Sequence, residues 1–295
     1  MNKEVLEVVL KKLEKESRIA SIIDLQSVPA LPKGENTTST ILRVTLKVIL
    51  GNGRQAKKSF IMKQMITEGI YSVIHKEMTY LMEEFEDTEE TLWCKFIHFD
   101  PHSSSILLED LKVCGYSLVP RQKGLDLDHA ILALRGLGKY HGMAKVLEER
   151  GIISKDEYKP WFWLNDLKPV KCILYGGISN LAKPTVRRSN YEFLLKTYHD
   201  SLVRTLDKFG FTGTKPTLEE ITDTMKRVEL FGLTFFAALH PSIICSSTEA
   251  FDIELVLTSE GEKGFNEDIL REPGMIEELG PDITDLVERH FSALD

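Results

Sequence analysis

The stretch Ser105–Glu148 constrains the fold more than any other part of this chain. Ile106, Leu107 and Leu108 form a short apolar run that ends at two carboxylates, Glu109 and Asp110, the pattern of a strand leaving a core. Asp126 then offers an N-cap to a long helix that sets Ile131, Leu134, Gly138 and His141 along one stripe. A buried strand, a link and a long helix in this order make a joint between two lobes, with a cleft between them. Taken singly, Glu109 and Asp110 read better as a solvated strand end, and His141 as a satisfied core histidine; taken in this order they do not.

Before the joint, the chain has the marks of a small β-rich lobe. A helix over Lys3–Ser17 carries Val5, Leu6, Val9, Leu10 and Leu13 on one side. Pro29 and Pro32 break the chain ahead of the polar run Gly34-Glu35-Asn36-Thr37-Thr38-Ser39. Leu42, Val44, Leu46, Val48 and Leu50 then alternate with Arg43, Thr45 and Lys47, as in a half-buried strand. Gly51-Asn52-Gly53 signals a hairpin turn, and Ser59–Gln64 is the returning strand. Lys63 lies in this strand on the face opposite Phe60 and Met62. A lysine centred in an apolar strand is costly unless its ammonium reaches a partner or a cleft. A helix near 71–84 carries Glu77, and LWCKFIHF and SILLED complete a five-stranded lobe.

The net charge of −8 argues against nucleic acid or an anionic membrane as the main partner. No apolar run is long enough to cross a bilayer, and MNKEVLEVVLKKLEKES is too charged for a secretory signal. Cys94, Cys114, Cys172 and Cys245 lack paired spacing, so neither a zinc site nor a disulfide framework is expected. A reducing, cytoplasmic setting follows as the expectation.

LLEDLK, followed by GYSLVPRQKGLDLDHAILALRGLGKYHG, resembles the hinge and first large-lobe helix of the ecdysteroid kinase-like family. That family belongs with the choline-kinase and aminoglycoside-phosphotransferase group of ATP-dependent small-molecule kinases. The resemblance implies an α+β, two-lobed, protein-kinase-like fold. Its small antiparallel β lobe with one helix spans 1–108, and its mostly helical large lobe spans 109–295. It also implies ATP and Mg2+ as cofactors, and a nucleotide and a lipophilic alcohol as partners. In such folds a strand lysine binds the α- and β-phosphates and is held by a helical glutamate, the roles that fall to Lys63 and Glu77. Gly34-Glu35-Asn36 is similar to the family's phosphate-loop segment, placing Asn36 there, and adenine is expected against the hinge backbone near Glu109 and Leu111.

The region 155–190 departs from the family pattern. The family carries His-Gly-Asp-x-Trp-x-Asn-Asn and then Asp-Phe-Gln, whose aspartates orient the acceptor hydroxyl and hold magnesium. Phe162-Trp163-Leu164-Asn165 agrees with the second half of the first motif, and Asp166 stands where the second asparagine would. Lys159, Pro160 and Trp161 fall in the His-Gly-Asp positions, so Trp161 stands at the catalytic aspartate, while Tyr175-Gly176-Gly177 fills the Asp-Phe-Gln slot. Trp161 cannot accept a proton and Tyr175 is not an anionic metal ligand at neutral pH, which leaves Asn165 and Asp166 as the metal-binding candidates. Asp156 and Asp166 remain as competing positions for the base, neither within the family's surrounding motif. The catalytic core thus reads as shortened, as in a diverged paralogue, an isoform or an imperfect gene model.

Beyond it, YEFLLKTYHDSLVRTLDKFG reads as a helix with Leu195, Tyr198, Leu202, Leu206 and Phe209 on one face, ending at Gly210. Thr217 and Glu220 form a capping box for the next helix, with Ile221, Met225, Val228 and Phe231 inward. LFGLTFFAALHPSII reads as a buried helix end, and the acidic tail from about Glu260 is expected to be helical at its end. Three functions stay open on the sequence. The chain is a working small-molecule kinase, a pseudokinase that binds nucleotide, ligand or a partner without phosphotransfer, or a product with no stable large lobe and no biochemical role.

Overall fold

The computed structural model describes residues 3–13, 19–31, 39–65, 80–81, 84–85, 92–100, 102–120, 123–154 and 182–227. Further on it describes 262–264, 266–272, 274–291 and isolated positions between 229 and 259. The chain divides into two compact units, Met1–Leu118 and Val119–Asp295.

The first unit is built on five antiparallel strands: β1 (Ile19–Pro29), β2 (Ser39–Leu50), β3 (Gln55–Met65), β4 (Phe96–Asp100) and β5 (Ser105–Glu109). Their order across the sheet is β1-β2-β3-β5-β4. Alternation decides which side of β2 and β3 is buried. Val44, Leu46, Val48 and Phe60 join Leu107 in one core with Leu6 and Leu10 of helix α1 (Lys3–Leu13) and with Ile19 and Ile22 of β1. At the β2–β3 turn the Gly53 amide donates to the Leu50 carbonyl, and Gly53 takes φ +79°, a conformation open to glycine.

The sequence gives no clean signal for β1. The strand carries register irregularities between Ile19 and Ser21 and between Ile22 and Asp24, which break the period-two pattern that would announce it. Pro29 is tolerated because it closes an edge strand.

The second unit is helical among its described residues: α2 (Leu127–Glu149), α3 (Pro184–Lys208), α4 (Leu218–Arg227) and α5 (Met275–Phe291). Asp126 caps α2 as expected, its carboxylate accepting from the amide of His129. Helix α3 starts earlier than the apolar periodicity suggests, at Pro184, and carries a kink at Asn190 with φ −132° and ψ 18°. It closes before Gly210, whose φ of +73° suits the residue that follows a helix end. The capping box on α4 is formed: the Glu220 amide donates to Thr217 Oγ1 at 3.1 Å, and the Thr217 amide to Glu220 Oε2 at 2.8 Å. Of LFGLTFFAALHPSII, all but a few positions lie outside the described residues.

Helices α2 and α3 run in the same direction and pack closely. Leu125 and Ala182, just ahead of each helix, pair in a parallel bridge. A Cβ on Gly138 would lie 2.6 Å from the Tyr198 carbonyl oxygen, and one on Gly142 would lie 2.8 Å from Thr205 Cγ2. The four-residue spacing of these glycines lets the backbones approach as no larger residue would allow. At the far end Glu149 accepts from the amides of Thr212 and Gly213 and from Thr212 Oγ1, tying the turn after α3 to the end of α2. Helix α5 is anchored to the start of α3 through Asp282, which accepts from Arg187 Nη2 at 2.6 Å and Arg188 Nη1 at 2.9 Å. Among the described residues no helix is long and apolar enough to cross a membrane. The α+β class expected from the sequence is the class observed.

Candidate functional site

In the antiparallel register, Lys63 stands opposite Ile41 on β2 and Ile106 on β5, while Ile61 stands opposite Arg43 and Leu108. Directly opposed residues project on one face. Lys63, Ile61, Ser59 and Arg43 therefore share the face turned away from the core that α1 covers. Lys63 is half-buried, and burial pushes its ammonium below the ordinary lysine range. No carboxylate among the described residues pairs with it. A partly desolvated cation on an open sheet face gains from an anionic partner, whether a carboxylate or a phosphate.

The end of β5 is organised by Asp110. This carboxylate is 2% exposed, and both of its oxygens are engaged. Oδ2 accepts from Arg43 Nε at 2.8 Å and from Ser59 Oγ at 2.6 Å. Oδ1 accepts from Arg43 Nη2 at 3.4 Å and from the Lys112 amide at 3.2 Å. Burial alone would raise the Asp110 pKa, but the hydrogen bonds from Arg43 and Ser59 and the charge of Arg43 outweigh it and hold the carboxyl below the usual range. Fully satisfied in this way, Asp110 has no lone pair to spare for a metal or a proton in flight. Of the two readings open on the sequence, a solvated strand end does not describe it.

Glu109 projects differently. Its carboxylate accepts from the Lys95 amide at 3.2 Å and from the Cys114 thiol at 3.4 Å. That contact with Glu109 raises the Cys114 pKa, so the exposed thiol stays protonated. Leu111 opens the turn that follows, and its carbonyl accepts from the amides of both Cys114 and Tyr116 at 3.0 Å. With both lone pairs used, Leu111 can offer an incoming base only its amide.

His141 is a core histidine with one partner. It is 3% exposed, and its Nδ1 meets the Tyr198 hydroxyl at 2.8 Å. Burial lowers its pKa to about 3 and raises that of Tyr198, so imidazole and phenol are both neutral. Nε2 of His141 has no hydrogen-bond partner among the described residues.

Of the residues singled out in the sequence, Lys63, Glu109 and Leu111 are thus placed in the first unit. Asn36, Glu77, Trp161, Asn165, Asp166 and Tyr175 lie outside the described residues. Among the described residues no group of three His, Cys, Asp or Glu side chains is arranged to hold a metal ion. Sequence reasoning overlooked Arg43 and Ser59. Arg43 alternates with apolar residues just as Thr45 and Lys47 do, and it reads as an ordinary solvent-facing position until its bond to Asp110 is seen.

Residues 33–162, somewhat under half of the chain, match the ecdysteroid kinase-like family, as is consistent with a diverged member of it. The matched stretch contains the whole of β2 to β5, the turn after Asp110 and α2. No curated protein and no solved structure matches the chain.

Proposed function

We propose that this diverged, kinase-like chain of the ecdysteroid kinase-like family binds a nucleotide at Lys63 and has lost efficient phosphoryl transfer. By descent it is an ATP-dependent small-molecule O-phosphotransferase acting on a steroid-like or other lipophilic alcohol. The observation that carries the reading is Lys63: half-buried in a strand, on the sheet face away from the α1 core, with its pKa lowered by desolvation. A polyphosphate would place its charge against the Lys63 ammonium, and the turn beginning at Leu111 would meet the base with its amide.

Loss of turnover is supported by the residues in the catalytic positions. Trp161 and Tyr175 stand where the family carries two aspartates, so a magnesium nucleotide would keep at most Asn165 and Asp166 as ligands. Magnesium, when bound, neutralises the developing charge on the transferred phosphoryl group. Removing one group that stabilises a transition state costs on the order of 10²–10³ in rate. Two independent losses would approach roughly 10⁴ or more. A kinase of ordinary turnover, about 1–100 per second, would then fall to background. In this reading the chain is a pseudokinase, and its role is to bind.

The test is product-mass detection with ATP, magnesium and a panel of steroids and other alcohols. No phosphorylated product above background is expected. Magnesium-dependent product at an ordinary kinase rate would overturn the claim of impairment and return the chain to the working enzymes.

A further inference from the structure

We propose that Arg43, Ser59 and Asp110 form a clamp that positions the turn after β5 for the base end of the nucleotide, while Lys63 serves its phosphate end. The inference rests on the nucleotide reading above and adds to it a set of positioning residues for base selectivity.

Three observations support it. The clamp lies on the same sheet face as Lys63, since Ser59 and Lys63 are two alternations apart on β3. Four residues of strand separate them by roughly 13–14 Å, so two ends of one extended ligand can be served without either group touching the other. Second, the clamp carries the order of the sheet one step past its last β3–β5 pair, Phe60 with Glu109, and into the turn. Arg43 belongs to β2, Ser59 to β3, and Asp110 lies beyond the last residue of β5. One carboxylate binds a residue of the adjacent strand β3, a residue of β2 beyond it, and also the Lys112 amide within the turn. Third, the turn itself is closed by its own amides: Val113 donates to Asp110, Cys114 and Tyr116 donate to Leu111, and Gly115 donates to Lys112. Its backbone is therefore preset, and Asp110 fixes where that preset unit sits relative to β3. Buried and saturated, Asp110 acts through the turn and not on a ligand directly.

A merely structural clamp would weaken every nucleotide alike, whereas a positioning clamp acts on discrimination between bases. The experiment measures the Kd of ADP and of UDP, with magnesium present, for the full chain and for the Ser59→Ala, Asp110→Asn and Lys63→Ala variants. The parent chain is expected to prefer ADP by tenfold or more. Ser59→Ala, which removes a single hydroxyl and leaves the Arg43–Asp110 pair in place, is expected to lose at least fivefold in ADP affinity with UDP changed less than twofold. Asp110→Asn should go further in the same direction if it folds, and Ser59→Ala decides the matter if it does not. Lys63→Ala should weaken both ligands together and keep their ratio. Equal affinity of the parent for the two nucleotides, or an unchanged ratio in Ser59→Ala, overturns the clamp proposal and leaves nucleotide binding standing. Failure of the parent to bind either nucleotide overturns both.

Discussion

His141 Nδ1 and the Tyr198 hydroxyl meet at 2.8 Å in the seam between α2 and α3, sealed from solvent on both sides. The ring is held neutral by its burial, with a pKa lowered to about 3 from an ordinary value near 6.5. The unfolded chain therefore takes up the proton first as pH falls. The stability carried by the neutral ring is complete above about pH 6.5 and declines below it, at about 1.4 kcal/mol per pH unit. Denaturant unfolding followed from pH 7.5 to 4.5 should show this slope. Replacing both partners by apolar rings, His141→Phe with Tyr198→Phe, should flatten it. An unchanged slope in the double variant would mean that another group governs acid stability.

The glycines on the same seam make a prediction that does not depend on pH. Gly138→Ala and Gly142→Ala each improve helix propensity by up to about 1 kcal/mol, but each forces a Cβ into a neighbouring helix. The clash should win. The expected net loss is about 1–3 kcal/mol per substitution, larger at Gly138, where the obstacle is the Tyr198 backbone carbonyl and cannot rotate away. Paired urea titrations of the two variants check the ranking, and a stabilised Gly138→Ala would show that the helices are not in close contact there.

Asp282 holds two cations, Arg187 and Arg188, at the junction of α5 with α3. Arg187 is nearly enclosed, its side chain 11% exposed against 37% for Arg188. Asp282→Asn should therefore cost about 3 kcal/mol, because it leaves a buried guanidinium facing a neutral amide. Arg188→Gln should cost under about 1 kcal/mol, since the charge it removes is partly solvated. Thermal melts of the two variants would separate these outcomes, and equal losses would contradict the assignment of Arg187 as the principal partner.

The parts of this fold that the sequence announces are local ones. The β2–β3 hairpin, the Asp126 cap and the Thr217–Glu220 box are each set by residues a few positions apart, and each forms. Strand β1 is hidden because its two register irregularities disrupt the alternation. The clamp is hidden for a different reason: Arg43 and Asp110 are 67 residues apart, and nothing near either one names the other. Lys63 is legible as a cation out of place in an apolar strand, a cost that the residue pattern alone makes plain. The spacing of Gly138 and Gly142 carries a signal for close helix packing that hydrophobic periodicity does not register.

The central claim is that Lys63 is the anion seat of a retained nucleotide site, and calorimetric titration of ATP into the chain and its Lys63→Ala variant tests it most directly. Because burial lowers the Lys63 pKa, its ammonium is lost at a lower pH than that of a free lysine. Affinity in the parent chain should accordingly fall as pH rises toward the ordinary lysine value, near 10.4. The account predicts saturable ATP binding at neutral pH, weakened at least tenfold by Lys63→Ala, with the alkaline decline absent from the variant. Equal affinity of the two proteins, or no binding by the parent at millimolar ATP, would contradict it.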